Sequence, residues 1–234
     1  MFFILCGIIY APSEDMKRII TPFIAAFLIG AVALLAVYVE SRVRPQQKSE
    51  YLWYDTLQQL NDLARIKHRQ SLRYAQYSTF AEKEGLHNQA VLLRAISQAD
   101  AIQCKNCIKA IESLGGIHHI PVSVDATMYD TRRHMQIICD EKSAYHSEHI
   151  HNIILQTLNE GNRYIARMLT WSDASDVEQI LILRHELQRS NTADTIHQAH
   201  YTVCPVCGKL SDKELSTYRC AHCMTPHEKF LIFK

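Results

Sequence analysis

Two stretches of this chain repeat one another. Glu84-Gly85 and Glu160-Gly161 mark equivalent points. Fifteen residues after each glycine stands an aspartate, Asp100 or Asp176, and three further on a glutamine, Gln103 or Gln179. Upstream, by 18 and 19 residues, stands a lysine, Lys67 or Lys142. Each half therefore reads Lys, Gly, Asp-x-x-Gln. The apolar spacing around these points is helical: Leu57, Leu60, Leu63 and Ile66, then Tyr74, Tyr77 and Phe80, recur at three and four. Glycines separate four such runs, over about 51–84, 86–114, 131–159 and 162–189. Only 7 Gly and 6 Pro occur in 234 residues, which favours long helices over a turn-rich β fold. Two helical hairpins with short turns, joined by a long link through Pro121, describe an all-α, ferritin-like four-helix bundle with a long crossover between its second and third helices.

The bundle, residues 51–190, has an apolar segment before it and a cysteine-rich tail after it. Residues 19–39 carry no charge, and at about 1.5 Å per residue they span roughly the 30 Å hydrocarbon core of a bilayer. They are read as a single-pass transmembrane helix, behind an N-terminal segment, residues 1–18. A cleaved signal peptide is the competing reading, although its apolar region would be shorter. Positive charge flanks both ends (Lys17 and Arg18; Arg42 and Arg44), so the side on which the soluble part lies is undetermined. Met16 is an alternative start to Met1. In the tail, 201–234, Cys204-Pro205-Val206-Cys207 and Cys220-Ala221-His222-Cys223 form two C-x-x-C turns. Four thiolates at tetrahedral reach suit one Zn²⁺ or one iron. Net charge is +1, so no global bias points to nucleic acid.

The sequence also resembles the rubrerythrins. Arg73-Tyr74-Ala75-Gln76-Tyr77-Ser78-Thr79-Phe80-Ala81-Glu82-Lys83-Glu84-Gly85 is similar to their first-helix signature. Asn159-Glu160-Gly161 with Ile165-Ala166-Arg167-Met168 is similar to their second, and the tail to their rubredoxin-like domain. The resemblance covers about residues 52–234 and leaves the apolar segment outside. It implies a homodimer, a partner redox protein, and a bundle that binds two irons through Glu and Glu-x-x-His ligands. By the same resemblance those ligands fall on Lys67, Lys142, Asp100-x-x-Gln103 and Asp176-x-x-Gln179, with an extra Glu falling on Tyr145. Not one usual ligand survives unchanged.

A di-iron site needs several carboxylates to neutralise two cations. Here two lysines and two aspartates sum to zero. A charged lysine has three donors and no acceptor, so it pairs with a carboxylate rather than ligating iron. The expectation is a core of Lys–Asp pairs, with Gln103 and Gln179 completing their hydrogen bonds, and no di-iron centre. Competing readings are a register error that leaves these residues on the surface, free drift of a lost site, and a site still competent for metal. Drift would not place the same three residue types at matching points in both halves.

Cys104 and Cys107 follow Gln103 on the second helix. They are either redox thiols or small buried hydrophobes; Cys139 has only the second reading. His146, His149 and His151, with His118 and His119, are read as a solvated polar face rather than a metal site. Gly208 follows the first knuckle as in rubredoxins, whereas Met224 stands where the second would have its glycine. The expected function is a membrane-anchored, rubrerythrin-like protein with one Fe or Zn in the four-cysteine site. Its role would be in electron transfer or oxidative stress, without a working peroxidase centre. The alternatives are a non-catalytic scaffold with a structural zinc tail, and a di-iron peroxidase with remodelled ligands.

Overall fold

The structure is a computed structural model, and it describes residues 27–35, 53–120, 127–189, 200–212 and 218–234. Residues 1–52 and 53–234 form two units. Of the apolar run 19–39, only residues 27–35 are described; they are helical, and Phe27, Leu28, Ile29, Val32, Leu34 and Leu35 are exposed. The rest of that run and residues 1–18 lie outside the described residues. Among the described residues no helix is long and apolar enough to cross a membrane.

In the second unit, α1 (Tyr54–Lys83) and α2 (His87–Ser113) form one hairpin. The other consists of α3 (Thr131–Tyr145), a π-helical turn (His146–Ile150), α4 (His151–Asn159) and α5 (Arg163–Gln188). The repeated glycines explain the two turns. Gly85 and Gly161 adopt φ of 77° and 83°, a left-handed conformation that glycine takes without steric cost. Both helices then close in the same way. Leu86 N–H donates to the Ala81 carbonyl (2.9 Å) and Gly85 N–H to Glu82 (3.1 Å); Asn162 N–H donates to Thr157 (3.0 Å) and Gly161 N–H to Leu158 (2.9 Å). The repeated glutamates beside them tie the two hairpins together. Glu84 accepts from the Thr131 backbone N–H at 3.1 Å, at the start of α3. Glu160 accepts from the Thr56 hydroxyl, at the start of α1.

Two apolar layers fill the bundle. One contains Leu60, Leu63, Ile111, Ile150, Ile165 and Leu169; the other contains Tyr74, Leu92, Ile96, Ile138 and Leu183. On α1, α2, α3 and α5 the repeated Lys or Asp falls between residues of one layer and residues of the other. The tail folds as a three-stranded antiparallel sheet in the order β2-β1-β3, from β1 (Tyr201–Val203), β2 (Leu210–Ser211) and β3 (Leu231–Phe233). Tyr201, Val203 and Leu210 pack into the second apolar layer, so the tail shares the bundle's core.

The start of α3 is pinned by His134. Its ring stacks on Tyr77, with centroids 3.8 Å apart, and its Nε2 accepts from the Tyr129 backbone N–H at 2.8 Å. That bond requires the neutral ring. Burial lowers the His134 pKa, against the opposing pull of Glu84 and Asp130. Below the ordinary value of about 6.5, the unfolded chain therefore takes up a proton that the folded chain refuses. Stability should decline as pH falls through about 6.5 and level off below the folded pKa. Urea denaturation across that range should show the slope, and His134→Phe should flatten it.

A buried charge quartet beneath a four-cysteine site

The helical register brings Lys67 (α1), Asp100 (α2), Lys142 (α3) and Asp176 (α5) to one point between the apolar layers. All four are buried; Asp100 is wholly inaccessible. Lys142 Nζ donates to both oxygens of Asp100 at 3.0 Å and to Asp176 Oδ1 at 2.8 Å. Lys67 Nζ donates to Asp176 Oδ2 at 2.5 Å and to Asp100 Oδ1 at 3.2 Å. Every carboxylate oxygen is therefore used, and each lysine bridges both aspartates. Lys142 also lies 5.8 Å from the centroid of the Tyr74 ring. Burial alone would depress the Lys142 pKa, but Asp100 and Asp176 outweigh it, and the pKa is raised. For Asp176 burial pushes upward, but Lys142 and Lys67 prevail and hold it below the usual carboxylate range. Both shifts favour the charged forms of Lys142 and Asp176.

Gln103 and Gln179 depart from the expectation that they complete this network. The carboxylate oxygens accept from the two ammonium groups, and neither glutamine joins them. Gln179 instead donates to Ser175 Oγ at 3.3 Å, and the side-chain amide of Gln103 has no partner on either polar atom. Tyr145 stands apart as well. It lines an open cleft of about 810 Å³ with Gln59, Asp62, Arg65, Arg69 and His149. Cys104 and Cys107 are buried free thiols. Burial pushes them up to about 11 and about 12, so both remain protonated and poor nucleophiles. His146 pairs with Asp173 at 2.6 Å.

Cys204, Cys207, Cys220 and Cys223 converge, and their sulfurs all lie within 4.8 Å of one another. The pairs Cys204–Cys223 and Cys207–Cys220 approach to 3.5 Å. Metal–sulfur bonds of about 2.3 Å in a tetrahedron give edges of about 3.8 Å, whereas a disulfide needs about 2.05 Å. The cluster therefore fits one metal ion. The two knuckles have the same backbone pattern. Gly208 N–H donates to the Cys204 carbonyl and Met224 N–H to that of Cys220, each at 3.0 Å. Gly208 has φ 77°, and Met224 adopts φ 63° in the equivalent place. The second knuckle thus keeps the glycine conformation without the glycine. Among the described residues, these cysteines are the group of His, Cys, Asp or Glu side chains that could hold a metal.

The first knuckle sits directly on the bundle. Ser175 Oγ donates to the Gly208 carbonyl at 2.9 Å and Asn106 Nδ2 to that of Val206 at 2.8 Å. Lys209 pairs with Glu178. A Cβ on Gly208 would meet the Ala99 carbonyl oxygen at 2.8 Å. Ala99 and Ser175 immediately precede Asp100 and Asp176, so the knuckle rests on the helix segments that carry the buried acids. Sequence reasoning missed this contact. The only signal for it was Gly208, which local knuckle geometry already explained.

Fold and site together define a ferritin-like helical bundle with a C-terminal four-cysteine metal-binding domain. No family model matches the sequence, and no curated relative does. Solved structures of nigerythrin, a rubrerythrin, share its fold. The mixed-valence state aligns with a TM-score of 0.67 at 16% identity, covering 81% of this chain and 90% of nigerythrin. The fully reduced, all-ferrous state aligns at 0.68 with the same identity and coverage. An open-pore ferritin from the archaeon Archaeoglobus fulgidus aligns at 0.50 and 12% identity, over 57% of this chain and 82% of the ferritin.

Two outcomes follow from this geometry. Lys67→Met leaves two buried carboxylates facing one ammonium, and should cost about 3–5 kcal/mol in chemical denaturation. Lys67→Met combined with Asp176→Leu should recover most of that loss, because Lys142 and Asp100 remain paired. In the tail, Met224→Gly removes a left-handed side chain and should stabilise the metal-loaded protein by about 1 kcal/mol, read as a rise in Tm.

Proposed function

We propose that this protein carries a single metal centre, the four-cysteine site, on a rubrerythrin-like bundle that has exchanged its di-iron centre for an internal salt. The observation that supports this reading is the buried quartet. By the rubrerythrin resemblance, its four positions are those of the metal-binding carboxylates. Two of them now hold ammonium groups, which offer no lone pair to a metal. Their charge neutralises the two remaining acids, as metal ions otherwise would. On this reading the bundle is a scaffold and not a peroxidase.

An iron bound by the four thiolates would supply one-electron transfer, and a zinc would supply only folding energy. We favour electron transfer. The docked first knuckle supports that choice, because it holds the centre rigidly against the bundle rather than on a loose tail. The redox partner would be a second protein, and the chain would act as a homodimer. The uncharged run 19–39 would anchor it to a membrane by a single pass. The helical residues 27–35, apolar and exposed, support the anchor. The second reading is a non-catalytic scaffold with structural zinc, which the glycine-to-methionine exchange at the second knuckle favours.

Metal analysis of the full chain, purified in detergent, tests these readings. One iron per chain with a red colour is the expected result, abolished by Cys204→Ser. One zinc per chain would establish the scaffold. Tight uptake of two further irons by the unaltered bundle would overturn the charge-quartet reading.

A further inference from the structure

The charge quartet accounts for neither glutamine of the repeated motif, and Gln103 is the less satisfied of the two. It is 2% exposed, yet both its side-chain oxygen and nitrogen lack a partner. Leaving a buried amide unsatisfied forfeits its hydration without return, so such a group calls for an explanation. Its partner in the repeat, Gln179, has at least Ser175 to bond.

Gln103 lines a small cavity where the bundle meets the metal knuckle. The cavity measures about 10 Å³ and is walled by Gln103, Asn106, Cys107, Met168, Trp171, Ser172 and Cys207. That volume is just enough for one water, which needs two to four polar neighbours. Gln103, Ser172, Asn106 and Cys207 are the residues of its lining that carry such groups. The approach is enforced from the other side, because a Cβ at Gly208 would lie 3.1 Å from Gln103 Cγ. Glycine at 208 therefore lets the first knuckle close down over the glutamine. Cys207, one of the four cysteines whose sulfurs converge, belongs to the cavity wall.

We propose that this cavity is a built site for one buried water, which donates a hydrogen bond to the Cys207 thiolate and is itself held by the Gln103 amide. Gln103 Nε2–H donates to the water oxygen, and one water O–H points to Cys207 Sγ. Gln103 Oε1 accepts from a neighbouring donor; Cys107 and Ser172, which each carry one, are both part of the cavity wall. No bond is made or broken. A hydrogen bond to a metal-bound thiolate withdraws charge from the sulfur, favours the reduced metal and raises its reduction potential. Gln103 is thus a positioning residue of the metal centre, reaching it from the bundle. In the family ligand pattern its place belongs to the di-iron site; here it serves the other centre. The inference rests on the reading of the four cysteines as a metal site given above.

The test uses the full chain in detergent with iron loaded in the four-cysteine site. Gln103→Met keeps the volume and removes both polar atoms. It should lower the midpoint potential so that the oxidised-to-reduced ratio at fixed potential rises about tenfold, which is ~59 mV for a one-electron couple. The sulfur-to-iron charge-transfer bands should shift with it, while iron content stays at one per chain. Gln103→Leu, which also lacks the polar atoms and adds no charge, should move the potential in the same direction and serves if the methionine variant does not fold. A purely structural role for Gln103 would change stability and leave the potential alone. In the wild type, exchange into water labelled with magnetic oxygen should produce a hyperfine coupling at the ferric centre. Unchanged potentials in folded, loaded variants, or no such coupling in the wild type, would overturn the water site and leave the metal reading intact. Failure of the chain to take up any metal would overturn both.

Discussion

Everything in the bundle is arranged around four charges that cannot afford to be separated. Lys67, Asp100, Lys142 and Asp176 come one from each long helical segment, and each lysine reaches both acids. A slip of any helix by one residue would turn its charge away and leave the others uncompensated in low dielectric. The apolar layers on either side could tolerate such a slip far better, because burial is not directional. The quartet therefore acts chiefly on register. Its net contribution to stability is small, since desolvation offsets most of the attraction. Its contribution to selecting one packing over others is large.

The same helix segments carry the metal knuckle. Ala99 and Gln103 meet Gly208 from α2, and Ser175 bonds its carbonyl from α5. Asp100 and Asp176 follow two of these docking residues in sequence. The helix faces toward the bundle axis thus hold the charges, and the adjoining faces hold the tail. A change that rotates α2 or α5 would disturb both places at once. The bundle and the tail are in this sense one structure with two polar sites, one satisfied by ion pairs and the other suited to a metal.

Much of this was legible in the sequence. The three-and-four spacing of apolar residues located the helices to within a few residues, because a helical face must be apolar to be buried. The repeated glycines located the turns, because only a left-handed residue closes a helix in that way. The C-x-x-C pairs identified the metal group, since a knuckle is a local structure whose ligand spacing is set by its own backbone. The matched Lys, Asp and Gln positions were visible as a repeat. The crossover from 121 to 126 and most of the 19–39 run lie outside the described residues.

By itself, the sequence determined the helices, their turns, the four thiol ligands and the charge balance of the core. Each of these follows from residue types at short range or from a pattern repeated within the chain. Only the tertiary structure decided where the two glutamines point, that Tyr145 packs at the edge of an apolar layer and lines an open cleft, and that the first knuckle lies on α2 and α5. Those outcomes depend on competition for partners in space. Gln103 and Gln179 match the charged residues in the repeat, yet Gln179 bonds Ser175 and Gln103 faces the knuckle at Gly208. Met224 shows the same limit from the other side. Its left-handed backbone is dictated by the knuckle hydrogen bond to Cys220, and the methionine side chain gives no sign of it.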